Sequence, residues 1–246
     1  MKLRSIFFTS AALAVGITTS AFAQSSDVAT SMATLGADSS GVLGTVGGEL
    51  SAGYTTDYIF RGANLGEDAI WTGVEVSIPM TEVVDLAVGA WYINPTSGPF
   101  DDEADYYANL SCSMAGFDVG LGYAAYTYPE FGSGTTNEVG LTLAKNLGFI
   151  TISGGYYYDF DLELSYYEVG LGMEYALTDA LTAAISVRGG FIDSDYAHTT
   201  IDVEFPIALS DSATFVPHVA GVFPGSDVFG DQDDTIFGGA AIRVSF

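Results

Sequence analysis

Residues 49–60, Glu49-Leu50-Ser51-Ala52-Gly53-Tyr54-Thr55-Thr56-Asp57-Tyr58-Ile59-Phe60, change character at every step. Leu50, Ala52, Tyr54, Thr56, Tyr58 and Phe60 fall on one side of an extended chain, and Glu49, Ser51, Gly53, Thr55 and Asp57 on the other. Successive side chains of a strand point to opposite faces, so the stretch reads as a strand with one apolar and one polar face. The same period recurs at 70–78, 84–92, 106–114, 117–127, 139–143, 150–158, 167–175, 181–191, 199–207, 215–223 and 236–246. That is about twelve strands, most of them close to the ~9–11 residues that a tilted membrane strand requires.

The composition fits strands that face lipid. The chain has 246 residues, 48% of them hydrophobic and only 15% charged, where soluble domains carry roughly 25% charged residues. Beyond the first two dozen residues no stretch approaches the ~20 apolar residues of a membrane-spanning helix. An apolar chain without such helices points to a closed barrel, the other structure that satisfies its backbone inside a bilayer. The expected fold is all-β, a transmembrane antiparallel up-and-down barrel spanning residues 48–246.

The N-terminus carries Lys2 and Arg4, an apolar run from Ile6 to Ile17, and Ala21-Phe22-Ala23. This is the layout of a secretory signal peptide over 1–23. Residues 24–47 then read as a flexible periplasmic lead-in. Cys112 is the only cysteine, which excludes an intramolecular disulfide and a cysteine metal site.

Connections alternate in length. Residues 80–83, 115–116, 145–148, 178–180 and 210–212 are short, whereas 61–69, 94–102, 129–135 and 224–234 are longer and acidic. Short periplasmic turns and long external loops are the asymmetry of outer-membrane barrels. Aromatics fall at strand ends: Tyr58, Phe60, Tyr92, Tyr106, Tyr158, Tyr167, Phe191 and Phe223 on the external rim, and Phe117, Tyr175, Phe205, Phe215 and Phe246 on the periplasmic one. Two such girdles suit the headgroup layers.

The stretch Tyr54-Thr55-Thr56-Asp57-Tyr58-Ile59-Phe60-Arg61-Gly62 resembles the Ser-Asp-Tyr-x-Phe-Arg-Gly signature that opens the TorF-type (Gcw_chp) putative porins, with Thr56 in place of the usual serine. The likeness extends loosely along the mature chain through strands such as Gly120-Leu121-Gly122-Tyr123. It implies an outer-membrane barrel of a bacterial cell. The ending Ile242-Arg243-Val244-Ser245-Phe246 is similar to the terminal signal read by the barrel-assembly machinery, with Val244 and Phe246 as its apolar members.

The polar faces sort the charges. Glu49, Asp57, Arg61, Glu75, Asp85, Asp105, Asp118, Glu138, Glu168, Glu174, Arg188, Asp202, Glu204 and Arg243 are expected to line the lumen, with His218 among them. Eleven acids thus meet three arginines. Arginine's planar fork suits bracing pairs with carboxylates, and the surplus acids would give the lumen a preference for cations. The whole chain has a net charge of −25, which disfavours nucleic acid as a partner.

The external acids Glu67, Asp68, Asp101, Asp102, Glu130, Asp227, Asp231, Asp233 and Asp234 read as solvated loops able to bridge lipopolysaccharide through divalent ions. Asp231-Gln232-Asp233-Asp234 lacks the spacing of a calcium loop. No cofactor or metal site is expected. His198 and His218, the only histidines, have no serine motif beside them, and no enzymatic activity is expected. The expected function is a porin-like channel for passive diffusion of small solutes, weakly cation-preferring, in contact with outer-membrane lipid and lipopolysaccharide. The alternative is a non-conducting structural or adhesive barrel.

Overall fold

The computed structural model describes residues 46–99, 102–129 and 134–246. The signal peptide, nearly all of the lead-in, Asp101 and Glu130 lie outside the described residues. The first seven strands are β1 (Gly47–Phe60), β2 (Ala63–Pro79), β3 (Val84–Asn94), β4 (Glu103–Met114), β5 (Phe117–Thr127), β6 (Thr135–Asn146) and β7 (Thr151–Asp159). They are followed by β8 (Leu164–Ala176), β9 (Thr182–Ile192), β10 (Asp195–Glu204), β11 (Ile207–Ala208), β12 (Ala213–Pro224), the single-turn helix α1 (Ser226–Phe229) and β13 (Thr235–Ser245).

Each strand pairs antiparallel with its neighbours in sequence, and β13 returns to pair with β1. The short β11 is the continuation of β10. Pro206 lacks an N–H and interrupts the ladder there, while Phe205 N still donates to Pro217 O (2.9 Å) and Thr182 N to Pro206 O (3.0 Å). Since β10 also pairs with β12, the result is a closed ring of twelve strands without an edge.

The turns at the end where β1 begins are tight. Ala115 and Gly116, both at positive φ (55° and 76°), make the two-residue hairpin between β4 and β5. Thr81 Oγ1 accepts from the N–H groups of Val83 and Val84, and Thr178 Oγ1 from those of Ala180 and Leu181, which fixes two further turns.

Period-two alternation sorts the side chains as the sequence suggests through most of the wall. Leu50, Val74, Val88, Leu110, Leu121, Leu141, Leu171, Ile185, Val219 and Ile242 all point outward and are exposed. A continuous apolar belt of this extent is stable only in lipid. Among the described residues no helix is long and apolar enough to cross a membrane. Tyr106, Tyr167, Phe191 and Phe223 are exposed on one rim and Tyr175, Phe205 and Phe246 on the other, and Lys145 Nζ lies 4.2 Å from the centroid of the Phe117 ring at the latter. Fold and belt together place the chain in the bacterial outer membrane.

The belt makes a measurable prediction. Leu121→Arg, mid-strand on the lipid face, is expected to lower the folding free energy by about 2–4 kcal/mol. Ser111→Lys, inward and opposite Asp85, is expected to cost less than about 1 kcal/mol. Equilibrium unfolding from lipid bilayers measures both, and equal losses would contradict the assignment of faces.

Three expectations are corrected. Residues 61–69 are not an external loop: β1 and β2 are joined by only Arg61 and Gly62, and the hairpin continues as strand. Tyr58 and Phe60 are not rim aromatics, for they are 5% and 3% exposed and belong to an interior cluster. The burial of β1 changes phase between exposed Thr56 and buried Tyr58, where the ladder lacks a Thr56–Asp68 step and Asp68 has φ 54°; the register shift that leaves Leu65 extra in β2 follows at once, between Tyr58 and Ile59. A slip of one residue turns side chains to the other face. Finally, β4 begins at Glu103, earlier than the apolar alternation indicates.

Candidate functional site: the barrel interior

The interior has two zones. Toward the end where β1 begins, the inward charges Glu49, Glu75, Asp118, Glu168, Arg188, Asp202, Glu204, His218 and Arg243 are partly accessible, and Asp85 and Glu174 are exposed. At the opposite end, the mouth, Glu103, Asp105, Glu138 and His198 are buried, together with Tyr58, Tyr126, Tyr128, Tyr157 and Tyr166.

The mouth is filled by the tip of the β1–β2 hairpin, which folds inward. Arg61 makes a bidentate pair with Glu138, Nη1 to Oε2 at 2.7 Å and Nη2 to Oε1 at 2.8 Å. Glu138 stands on β6, five strands from β1 in one direction round the ring and seven in the other, so the pair spans the lumen. The guanidinium also lies over three aromatic rings, 4.2 Å from the centroid of Tyr166, 4.7 Å from Phe60 and 4.9 Å from Tyr157. Tyr126 donates to Glu138 Oε1 at 3.0 Å. The pair meets the charge and both terminal nitrogens of the buried guanidinium, as its stability requires, whereas Nε is buried without a hydrogen-bond partner.

The loop before β13 holds the hairpin from the side. Gln232 Nε2 donates to Gly62 O at 2.6 Å, and Asn64 N donates to Gln232 Oε1 at 3.4 Å. Val228 on α1 is buried, and Phe229 packs against both interior clusters. Gly62 sits at φ 94°, and a Cβ there would fall 2.7 Å from His198 Cβ and 2.8 Å from Phe229 Cε2. Glycine therefore meets two demands at this position, a left-handed backbone and a close approach.

Beneath the tip lie Glu103 and Asp105, 0% and 2% exposed. Tyr58 OH donates to Glu103 Oε2 at 2.8 Å. Glu103 Oε1 and both Asp105 oxygens meet no donor apart from the adjoining carboxyl. Trp71, Trp91 and Tyr107 pack against the same cluster, with Tyr58 and Trp91 ring centroids 6.0 Å apart.

The other residues expected in the lumen are placed as follows. Glu49 stands opposite Glu75 in the register, and Glu75 Oε2 accepts from Tyr107 OH at 3.1 Å. Asp118 accepts from Ser113 Oγ at 2.5 Å. Arg188 Nη1 is 4.0 Å from Glu168 Oε2. Glu204 stands opposite His218, and Arg243 opposite Ser51 and Thr214. Asp57 belongs to the hairpin and accepts from Asn64 Nδ2 at 3.0 Å and Thr56 Oγ1 at 3.0 Å. Arg61 enters the lumen from the turn rather than from a strand.

Several interior residues are not among the expected lumen charges: Glu103, Tyr58, Tyr157, Tyr166, His198 and Gln232, of which Tyr157, Tyr166 and His198 carry the inward parity of their strands. Glu103 has the parity of Asp105 and Tyr107, which would have revealed it had the strand been started earlier. His198 Nε2 and Nδ1 meet Tyr166 OH and Thr200 Oγ1, each at 2.9 Å. Among the described residues no group of three His, Cys, Asp or Glu side chains is arranged to hold a metal ion.

No family model matches the chain, and no curated protein matches it. Solved structures do. An outer membrane channel from Pseudomonas putida F1 superposes with a TM-score of 0.50 at 12% identity, over 86% of this chain and 100% of that one. The KdgM porin gives 0.51 at 11% identity, over 80% and 99%. The NanC porin gives 0.51 at 13% identity, over 81% and 98%. At these identities the likeness is one of fold, and the fold shared is that of bacterial outer-membrane channel barrels.

Proposed function

We propose that the protein is a porin-like channel through which small solutes diffuse passively, with a preference for cations. One observation carries this reading. The inward face of β2 to β5 bears Glu75, Asp85, Glu103, Asp105 and Asp118 and no Lys or Arg. The inward bases stand elsewhere: Arg61 is committed to Glu138, Arg188 stands on β9 near Glu168, and Arg243 stands on β13. A wall of one sign beside a low-dielectric barrel attracts counter-ions and repels like charge. The KdgM porin has been crystallised with oligogalacturonate, a polyanion. This chain's acidic wall is suited to solutes of the opposite sign.

Planar-bilayer recording of refolded protein under a salt gradient tests the reading. The expected reversal potential favours cations, and the double variant Glu75→Lys with Asp118→Lys moves it toward anions. A wild-type potential favouring anions would refute the charge argument.

The packed mouth favours a second reading, a structural or adhesive barrel that does not conduct. Loop acids such as Asp227, Asp231, Asp233 and Asp234 would then be the contact surface, bridging lipopolysaccharide through divalent ions. Membership of the TorF-type porins is supported by the stretch Tyr54–Gly62, which forms the hairpin closing the mouth. Engagement of the barrel-assembly machinery is supported by Val244 on the outward face of β13 and Phe246 just beyond its end.

A further inference from the structure

We propose that the tip of the β1–β2 hairpin is a movable gate, latched shut by the pair between Arg61 and Glu138. The proposal rests on the channel reading above. It explains how a barrel whose lower inward charges are partly accessible can have a filled mouth.

The mouth is closed where the hairpin tip and the loop beside it meet wall side chains such as Tyr126, Tyr157 and Tyr166. Phe60, Ala63 and Leu65 fill the space, and Arg61 carries the contact to the far side. A tip of this kind can leave without opening the ring, because the pairing of β1 with β13 and of β2 with β3 is confined to residues up to Thr55 and from Ile70. Above those residues β1 and β2 pair with each other, except that Glu67 also bridges to the β3–β4 connection, its N–H donating to Ser97 O (2.8 Å) and its carbonyl accepting from Thr96 N (3.1 Å), so the part free to move is the tip beyond Glu67.

The root of the tip is built to bend. The ladder passes from Thr55–Ala69 to Asp57–Glu67 without a Thr56–Asp68 step, and shifts register once, between Tyr58 and Ile59. Asp68 has φ 54°, a left-handed conformation unusual for a residue with a side chain. Interrupted pairing and irregular backbone mark positions where a change of direction disturbs little structure.

Opposing forces act on the tip. The latch draws it in: a bidentate ion pair, cation–π contacts and the Gln232 hydrogen bonds, all sheltered from water. The carboxyls beneath draw it out. Closure leaves Glu103 and Asp105 buried with three oxygens that meet no donor other than the adjoining carboxyl, and water admitted by an opened tip would solvate them. A closed state that combines a strong local latch with an uncompensated burial is suited to two positions. Packing by apolar wall residues alone would favour one.

The test is single-channel recording of the refolded mature chain. Wild type is expected to be closed most of the time, with brief openings. Arg61→Ala and Glu138→Gln are each expected to raise the open fraction at least about tenfold, because either leaves a buried charge or polar group without its partner in the closed position. In a Cys112→Ser background, Asn64→Cys and Gln232→Cys joined by a short reducible thiol cross-linker are expected to silence the channel until the link is reduced. Heat-modifiable gel mobility checks that each variant is folded. The tethered variant gives up the Gln232 hydrogen bonds but keeps the Arg61–Glu138 pair, and so serves if the variants of that pair do not fold. Equal open fractions in wild type and latch variants, or conduction through the tethered barrel, overturn the gate. A barrel in which residues 58–67 are replaced by a two-residue turn separates the two ideas: if that barrel is also silent, the channel reading itself fails.

Discussion

A chain carrying valine in place of Gly239 is expected not to close its barrel. Gly239 lies on β13, opposite Thr55 of β1 on one side and His218 of β12 on the other. A Cβ at this position would overlap the Tyr54 carbonyl oxygen and fall 2.9 Å from Thr55 Cα. These are backbone atoms of the first strand, so no side chain can rotate away. The seam would have to part where it joins the two ends of the sheet. In lipid each exposed N–H or C=O at such an edge costs several kcal/mol, and several would be freed together. The folded, heat-modifiable band is therefore expected to vanish for Gly239→Val. Gly172→Ala, with open space around its Cβ, should fold as wild type does. A wild-type yield of folded Gly239→Val would show that the seam is more compliant than the geometry allows.

Deletion of Phe246 attacks the same seam from its end. Phe246 N donates to Gly48 O and Gly48 N to Phe246 O, both at 2.9 Å. The phenyl ring occupies the space beside Gly48, where a Cβ would come within 2.5 Å of it. Two hydrogen bonds at about 0.5–1.5 kcal/mol each and a ring contact of about 1 kcal/mol or more are lost together. At 1.4 kcal/mol per factor of ten, the folded fraction of a marginal barrel should drop by about tenfold or more. Gly48→Leu, which displaces the ring, should act in the same direction, and Phe246→Tyr should recover most of the yield. Refolding into lipid without any assembly factor distinguishes the seam from a receptor-read signal. Normal spontaneous refolding of the shortened chain would leave the signal and remove the seam argument.

Much of this fold is legible in the chain because a barrel wall is written in a short period. Alternation from Leu50 to Tyr54, from Ile70 to Val74 and from Ile236 to Val244 sets which side of the wall meets lipid, and it needs no knowledge of distant residues. The inward parity of Glu75, Asp118, Glu168, Arg188 and Arg243 follows from the same count. The count fails at Tyr58 and Phe60, where alternation in the sequence continues unbroken while the backbone of the hairpin becomes irregular, first at the missing Thr56–Asp68 step and then where Leu65 is extra in β2. Nothing local to either strand announces an extra residue in its partner. Residues 61–69 mislead for a related reason: glycines and acids there have the composition of a loop, yet they pair as strand because Arg61 and Gly62 turn the chain in two residues. Glu103 is hidden among neighbouring acids whose polarity masks the start of β4.

The sequence by itself determined a twelve-stranded barrel with an apolar belt, a surplus of inward acid and a chain end that lies on the lipid face. These are properties of the repeat, in which each residue's face depends on its neighbours two places away. Only the tertiary structure decided that the stretch Tyr54–Gly62 ends inside the barrel, that Arg61 crosses the lumen to Glu138, and that Glu103 and Asp105 lie dry beneath it. Those facts depend on which strands stand opposite each other once the ring has closed, and ring closure joins residues 77 positions apart through space that the linear period does not describe.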